Sequence, residues 1–427
     1  MAWILFLTFI ALMLVGVPVV ISLGAASITS LLYIGFGGNL LIVQQQILDG
    51  VDKPSLLAIP FFIMAGNLMN AVGLTDKIFD FAMTLVGHFR AGLAQVNVLA
   101  SLIFAGVSGA ATADIAGMGI MEVKAMRERG YPLDFSAALT VATSIVGPII
   151  PPSISLIVYA WLSNTSVARL FLAGIVPGLL VGVAFMVFNR YLAARRGYPS
   201  EPRATLRQVG RSAISGIAAL GAPVIILGAI ITGYATATEA GVLACVYAMA
   251  LGAYYRTLSL RGLWTSLTET AVITSVILMI IGFAQVMGWL LAFEQIPQQL
   301  AEVILFTTDS RAVFLFLVIV FLLIIGCFIE ATPSKIILVP LLLPLVDHFG
   351  IDRVHFGLII TLALLIGIAT PPMGVGLYTM VGVVRVPYEK LAVAILPLLI
   401  PPVVVLFLIT YIPALSLWLP NLVLGPQ

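Results

Sequence analysis

The stretch Gly147-Pro-Ile-Ile-Pro-Pro-Ser153 lies inside a long apolar segment and contains three prolines. A second Pro-Pro pair, Pro371-Pro372, follows Thr370 and lies 220 positions after the pair in the first stretch. Proline removes a backbone donor, clashes with the preceding turn and disfavours helical geometry in the residue before it. Both stretches are therefore predicted to interrupt a helix.

A cluster with hydroxyl side chains precedes each break by the same interval. Gly106-Val-Ser-Gly-Ala-Ala-Thr-Ala-Asp114 is echoed, 220 positions later, by Gly326-Cys-Phe-Ile-Glu-Ala-Thr-Pro-Ser334. The starts of the two halves also match, since Gly16-Val-Pro18 resembles Gly221-Ala-Pro223. Helix breaks at corresponding places in two halves of a membrane chain are typical of secondary transporters built from internal repeats.

Composition places the chain in a membrane. Of its 427 residues, 61% are hydrophobic and 9% are charged, and the mean hydropathy is +1.18. Because one span needs roughly 20 apolar residues, this length holds about ten to twelve membrane segments with short loops. Residues 1–7 have no basic region before the apolar run, so we expect a first membrane helix there and no removable signal peptide.

The loop charges predict the topology. Residues 190–211 form the longest hydrophilic stretch and carry six arginines, which marks them as cytoplasmic by the positive-inside rule. Counting spans outward from this stretch places about 15 of the 20 basic residues in the cytoplasm and makes the two halves antiparallel. The predicted organisation is a first inverted repeat at 1–190, a cytoplasmic basic linker at 191–211 and a second inverted repeat at 212–427.

Each repeat is predicted to contain a re-entrant hairpin and a broken helix. The first hairpin is expected at about 93–128, because both of its ends are basic, and the first broken helix at about 135–160. Their counterparts are expected at about 312–347 and about 355–380. The predicted fold class is an all-α integral membrane protein with two inverted repeats, re-entrant helical hairpins and broken helices.

The breaks provide the chemistry of an ion site. Backbone groups that leave a helix inside a membrane survive only where protein or a water-filled cavity surrounds them. Freed carbonyls and nearby hydroxyls suit a small hard cation, and the N-termini of half-helices suit an anion. The pattern predicts two Na⁺ sites, one per half, with an anionic substrate between them; a Pro-Pro pair that only kinks a helix is the alternative.

Charged residues near the tips are left with two readings. Asp114 is read either as a proton or cation partner or as a structural N-cap at the hairpin tip. Glu330 and Lys335 are read either as functional groups or as a pair with one another. Glu239 is expected to be either a helix cap or a contact within the scaffold.

The sequence argues against an enzyme. It has no Gly-x-x-x-x-Gly-Lys-Ser/Thr loop, no His-Glu-x-x-His and no cysteine cluster, and Cys245 and Cys327 are expected to serve packing. Uphill transport would therefore draw on an ion gradient. An integral membrane enzyme or a respiratory subunit, the rival class, would carry clusters of intramembrane His, Cys or carboxylates.

On these residues the chain resembles the large membrane subunit of the tripartite ATP-independent periplasmic (TRAP) transporters, over essentially its whole length. The resemblance implies an elevator-type transporter of the ion transporter superfamily, which imports organic acids with Na⁺ across the bacterial inner membrane. It implies two or more transported Na⁺ ions, a separate small four-helix membrane subunit, a periplasmic substrate-binding protein and no nucleic acid. A stand-alone Na⁺/carboxylate transporter of similar inverted-repeat fold is the alternative.

The resemblance also implies the site residues. Substrate-binding hydroxyls are expected at Ser108, Ser153, Thr332 and Ser334. Na⁺ ligands are expected at Ser108, Gly109, Thr112, Gly147, Pro148 and Pro151 in the first half, and at Gly326, Thr332, Thr370, Pro372 and Gly374 in the second.

Overall fold

The computed structural model describes residues 2–35, 41–196, 198 and 200–426. Within these ranges every regular element is a helix and no strand occurs. Six of the helices are long and apolar enough to cross a membrane, or seven if the two parts of a helix bent by 43° within 206–231 count as one span. The all-α membrane class predicted from composition is confirmed.

The α-helices are numbered in chain order. They are α1 Ala2–Leu14, α2 Val19–Tyr33, α3 Leu41–Val51, α4 Ala58–Ala71, α5 Leu74–Val86, α6 Gly92–Ser108, α7 Ala111–Glu128, α8 Leu133–Thr143, α9 Ile154–Ser163, α10 Val167–Arg196, α11 Leu206–Ile231, α12 Ala237–Tyr255, α13 Leu260–Phe293, α14 Ile296–Thr307, α15 Arg311–Phe328, α16 Ala331–His348, α17 Arg353–Ile368, α18 Val375–Val384, α19 Tyr388–Ile395, α20 Ile400–Tyr411 and α21 Ala414–Leu424.

The helices that begin the two halves pack on one another. Helix α4 lies against α12 and α13, α2 and α3 also lie against α13, and α5 lies against α11. Glycines let these helices approach closely: a Cβ atom on Gly24 would lie 2.8 Å from the ring of Phe283, and one on Gly282 would lie 2.9 Å from Ile47. Small residues at crossings are expected where packing, and not water, drives helix association. We call α1–α5 and α11–α13 the outer helices.

The first hairpin consists of α6 and α7, which are joined by Gly109 and Ala110. Gly109 turns the chain with a left-handed φ of 62°, a conformation that costs glycine nothing. Further along, α8 ends in a 3₁₀ turn at Ser144–Val146, and residues 147–153 are not helical before α9 begins. We call residues 147–153 the first break.

The second half contains the same succession of elements. Helices α15 and α16 form a second hairpin and are joined by Ile329 and Glu330. Helix α17 ends at Ile368, and residues 369–374 are not helical before α18 begins. We call residues 369–374 the second break. The Pro-Pro peptide bond in each break is cis.

Each hairpin packs on the broken helix of the other half as well as on its own. Helix α7 contacts α8 and α18, and α16 contacts α17 and α9. Between α7 and α18 the contact is apolar, with Ile115 beside Gly376. Between α16 and α9 it is polar, with Lys335 donating to Ser155. The hairpins and the broken helices therefore form one packed group, α6–α9 and α15–α18, which we call the inner helices.

Helices enter the stretch 191–211, which was predicted to be a linker, from both sides. Helix α10 extends to Arg196 and α11 begins at Leu206, while Gly197 and Pro199 lie outside the described residues. A capping box starts α11: Thr205 Oγ1 accepts from the Gln208 N–H, and Gln208 Oε1 accepts from the Thr205 N–H at 2.8 Å. The Thr-x-x-Gln spacing is the signal that places this start.

Candidate functional site

The tip of the first hairpin lies against the first break. At the end of α6, the Ser108 hydroxyl donates to the Asp114 carboxylate in the first turn of α7. A Cβ atom built on Gly109 would lie 2.5 Å from the carbonyl oxygen of Pro152. The tip and the break therefore meet backbone to backbone at this point, with no room for a side chain.

Asp114 brings a carboxylate into this junction. Its side chain is 3% exposed, and its Oδ2 atom has no hydrogen-bond partner among the described residues. That oxygen faces Gly147 so closely that a Cβ atom there would collide with it. The reading of Asp114 as an N-cap is wrong, because the N-cap of α7 is Ala110. A buried carboxylate oxygen without a partner is costly, and a cation beside it would remove that cost.

Each Pro-Pro pair frees one backbone carbonyl. The prolines at 151 and 152 cannot donate to the carbonyl of Pro148, and the prolines at 371 and 372 cannot donate to the carbonyl of Ile368. These two carbonyls lie 220 positions apart, like the pairs themselves. In the first break the Ser153 hydroxyl donates to Pro148 O at 2.5 Å. In the second break, the carbonyl oxygen of Ile368 lies 2.6 Å from the position that a Cβ atom on Gly374 would occupy.

Ser153 stabilises the first break internally. Its hydroxyl donates to Pro148 O and accepts from the Leu156 N–H at 3.1 Å, so it caps α9. Since Ser153 is also fully buried, a direct contact with substrate stays a prediction. The carbonyls of Gly147 and Pro151 accept no hydrogen bond from the described residues and remain available as ligands.

Thr112 and Thr332 occupy equivalent places in the two hairpins, each being the second residue of its helix. Both side chains are partly exposed, and neither hydroxyl makes a hydrogen bond within the described part of the chain. Hydroxyls at a helix start inside a membrane normally bond to backbone or to a neighbour. These two are the tip hydroxyls that a ligand could engage without breaking an existing bond.

The second junction is made of backbone carbonyls and glycines. Gly326 in α15 lies directly against Gly367 in α17, where a Cβ atom on Gly326 would be 2.9 Å from Leu364 O. The carbonyls of Ile368 and Thr370 converge on Gly374. The Thr370 hydroxyl donates to its own helix at Ile366 O, and Pro372 O accepts from the Tyr388 hydroxyl at 2.6 Å. The predicted ligands Thr370, Pro372 and Gly374 therefore lie within the second break, whereas Gly326 lies at the crossing of α15 and α17 beside Gly367.

Lys335 follows Ser334 and is fully buried. Its ammonium group donates to the Ser155 carbonyl at 3.1 Å and also to the Ser155 hydroxyl. The expected pairing of Lys335 with Glu330 is wrong, since the lysine reaches across to α9 and the Glu330 side chain is exposed. Ser334 is buried, and its hydroxyl points back to Ile329 O at 3.5 Å. A buried cation therefore lies next to a predicted substrate residue.

The first half also contains a buried polar network that was not predicted from the sequence. It joins α6, α7 and α8 and lies more than two turns from the hairpin tip along α7. The signal that could have revealed it is a set of polar residues at helical spacing in otherwise apolar segments. Its members are Asn97, Ser101, Glu122, Thr140 and Thr143.

A family model described as "Tripartite ATP-independent periplasmic transporter, DctM component" matches residues 6–415, almost the whole chain. The chain belongs to this family. It is therefore the large permease of a TRAP transport system in the bacterial inner membrane, and it is not an enzyme, because its relatives are transporter permease subunits. In this family the large permease works with a small permease and a periplasmic binding protein.

Two curated relatives and one solved structure support the assignment. The chain is 43% identical over 417 residues to the sialic acid TRAP transporter large permease protein SiaM of Vibrio cholerae, with 97% of each chain covered. It is 38% identical over 375 residues to the 2,3-diketo-L-gulonate TRAP transporter large permease protein YiaN of Escherichia coli, with 88% of each covered. The crystal structure of the Alcanivorax borkumensis YdaH transporter has a TM-score of 0.61 at 14% identity, covers 98% of this chain and 99% of that chain, and shows the fold alone.

Proposed function

We propose that this TRAP permease imports an organic acid anion and couples its movement to Na⁺. The observation that carries the proposal is the pair of junctions between hairpin tips and helix breaks. In each half, the break contains backbone carbonyls outside any helix, and the hairpin tip carries a threonine hydroxyl without a hydrogen bond among the described residues. Oxygen ligands of this kind bind small hard cations.

In the proposed sites, one Na⁺ lies at each junction. The first would use the carbonyls of Gly147 and Pro151 and the hydroxyl of Thr112, together with Asp114 Oδ2, an oxygen that has no hydrogen-bond partner among the described residues. The second would use the carbonyls near Gly374 and the hydroxyl of Thr332. Because opposite charges attract, the carboxylate would make the first junction hold its ion more strongly than the second.

The substrate is proposed to be a carboxylate that binds between the two junctions. The relatives named above are permeases for sialic acid and for 2,3-diketo-L-gulonate, both of which are organic acids. The N-terminal ends of α7 and α16 carry the partial positive charge that favours an anion, and both begin at the hairpin tips. Ser108 and Ser334 lie beside these ends.

The packing favours an elevator movement with two inverted repeats. Each hairpin packs on both broken helices, so the inner helices share contacts that keep both junctions together. Most contacts of the outer helices are with one another. A group that packs internally and carries both sites can move as a unit past a second group, which is the arrangement an elevator requires.

The proposed partners are a small four-helix membrane subunit and a periplasmic binding protein that delivers the substrate. The alternative is a stand-alone Na⁺/carboxylate transporter, which the fold alone also permits. Uptake into proteoliposomes with and without a binding protein separates the two. A chain that transports unaided would exclude the tripartite assembly.

Replacing Thr112 or Thr332 by valine is expected to raise the Na⁺ concentration that gives half-maximal uptake. Valine has the shape of threonine but lacks the hydroxyl, so each variant removes one proposed ligand and little else. If one neutral ligand contributes about 1 to 2 kcal/mol to Na⁺ binding, its loss raises the half-maximal Na⁺ concentration by roughly 5- to 30-fold. The measurement is the Na⁺ dependence of uptake of a labelled acid into proteoliposomes.

Thr268→Val is the matched control for these variants. The Thr268 hydroxyl donates to the carbonyls of Trp264 and Thr265 within α13, and its side chain is exposed and, among the described residues, makes no hydrogen bond to a hairpin or a break. This variant is expected to keep the Na⁺ dependence of the wild type. If Thr112→Val and Thr332→Val also keep it, the two hydroxyls are not ligands and the proposed sites fail.

A further inference from the structure

The polar network in the first half is centred on Glu122. This side chain is 1% exposed, and its Oε2 atom accepts from the Asn97 amide at 2.6 Å. The same amide donates to the Thr140 hydroxyl at 2.8 Å, and the Thr143 hydroxyl donates to Asn97 Oδ1 at 2.7 Å. Ser101 completes the chain of bonds, 3.3 Å from Thr143. The Oε1 atom of Glu122 has no hydrogen-bond partner among the described residues.

The second half has nothing polar at the equivalent positions. An offset of 220 residues relates the two hairpins and breaks, and the same offset maps every member of the network to an apolar residue. The equivalents of Asn97, Ser101, Glu122, Thr140 and Thr143 are Leu317, Phe321, Leu342, Ile360 and Ala363. Apolar residues at these positions are enough to pack the equivalent helices of the second half. Packing alone therefore does not require the polar residues of the first half, and they need a separate explanation.

No positive charge compensates Glu122 within the described chain. Helix α6 and the 3₁₀ turn at Ser144–Val146 contain no titratable group. Helix α8 contains Asp134 at its start, and α18 contains Tyr378. On α7 itself, Lys124 and Arg127 are exposed, and Asp114 adds a further negative charge. An ionised carboxylate in this place would be buried without a counter-ion, which is strongly unfavourable.

We propose that Glu122 is a proton-binding site, distinct from the two junctions, and that it holds a proton in the conformation described here. The members of the network already lie at hydrogen-bond distances from one another, which leaves no space for a metal ion between them. A proton neutralises the carboxylate and needs no such space. Asn97, Thr140 and Thr143 hold the carboxyl group in place. Proton binding here adds a second ion to a permease for which only Na⁺ has been proposed above.

Infrared spectroscopy of the purified protein tests the site without any transport assay. A protonated carboxyl group has a C=O stretch that an ionised one lacks. The wild-type protein is expected to show this band at neutral pH, and Glu122→Gln is expected to lose it. Asp114→Asn is the matched control, because Asp114 is the other buried carboxyl group on α7; this variant should keep the Glu122 band. If the spectra of the wild type and of Glu122→Gln show the same carboxyl band, or neither shows one, the proposal is overturned.

Thermal stability across pH provides a second test. Raising the pH removes the proton and leaves a buried charge, so the melting temperature of the wild type should fall with rising pH more steeply than that of Glu122→Gln. Equal slopes in the two proteins contradict the proposal. A second result would also contradict the proposal. If Glu122→Gln changes how stability depends on Na⁺ but not how it depends on pH, the site binds Na⁺ and not a proton.

A quadruple variant keeps the test open if Glu122→Gln does not fold. Asn97→Leu, Glu122→Leu, Thr140→Ile and Thr143→Ala together install the residues that the second half carries at these positions. The variant is expected to fold and to lose the carboxyl band and the pH-dependent part of its stability. A variant that folds and retains both shows that neither comes from Glu122. Because neither readout requires Na⁺-driven uptake, failure of this proposal and failure of Na⁺ coupling are distinguishable.

Discussion

Gly109→Ala is expected to reduce uptake strongly while the protein still folds and inserts. Gly109 has a φ of 62°, and a left-handed conformation costs any residue with a Cβ atom about 1–2 kcal/mol. The new Cβ atom would also lie 2.5 Å from the Pro152 carbonyl oxygen, which is backbone and cannot rotate away. The tip then has to withdraw from the break. Since each 1.4 kcal/mol corresponds to a factor of about ten, we expect uptake to fall by about tenfold or more.

Gly130→Ala is the control that has the backbone strain of Gly109→Ala but not its close contact with the Pro152 carbonyl. Gly130 follows α7 and also has a positive φ, 85°, but a Cβ atom there would have nothing within 4 Å. It therefore carries the same conformational cost without the contact with the break. Uptake by Gly130→Ala should stay near the wild-type rate when both are normalised to the amount of folded protein in the proteoliposomes. Equal losses in the two variants would show that the contact with Pro152 is unimportant.

Ser155→Val is expected to destabilise the permease more than Lys335→Met does. Without the Ser155 hydroxyl, the buried ammonium group of Lys335 loses an acceptor, and a charged group left short of partners costs about 1.5–3 kcal/mol. Lys335→Met instead removes the charge itself and keeps most of the length of the side chain. The double variant should therefore recover part of the stability that Ser155→Val loses. The measurement is a double-mutant cycle of unfolding free energies in mixed micelles.

Ser163→Ala is the control on the same helix. The Ser163 hydroxyl donates to the Tyr159 carbonyl at 2.7 Å and pairs with Thr165, so its loss leaves no buried charge behind. A small effect is expected, near the ~0.6 kcal/mol average of hydrogen bonds between membrane helices. If the losses from Ser155→Val and Lys335→Met simply add, the two side chains do not interact energetically, and the polar link between α16 and α9 carries no stability.

Local chemistry explains which features could be predicted from the sequence. Proline acts on its own helix, so the two Pro-Pro pairs located the interruptions at 147–153 and 369–374. Composition alone indicated the all-α membrane class, and Thr236 and Glu239 form the cap that their spacing indicates. The family likeness rested on the same local motifs.

Contacts between distant parts of the chain could not be predicted in this way. Lys335 and Ser155 are 180 positions apart, and no local pattern indicates that a lysine in one half reaches a serine in the other. Glu122 was overlooked because polar residues at helical spacing do not show which helices will pack together, and the network exists only where three helices meet. The start of α11 at Leu206 was not predicted, because the Thr-x-x-Gln spacing of its capping box was not used.

Uptake of labelled organic acids into proteoliposomes that contain this chain and its small partner tests the central claim most directly. The assay is run with a Na⁺ or a K⁺ gradient, and with or without the periplasmic binding protein. The account predicts uptake that requires both the inward Na⁺ gradient and the binding protein. Uptake that is equally fast with K⁺ would contradict Na⁺ coupling, and with it the assignment of the two junctions as Na⁺ sites.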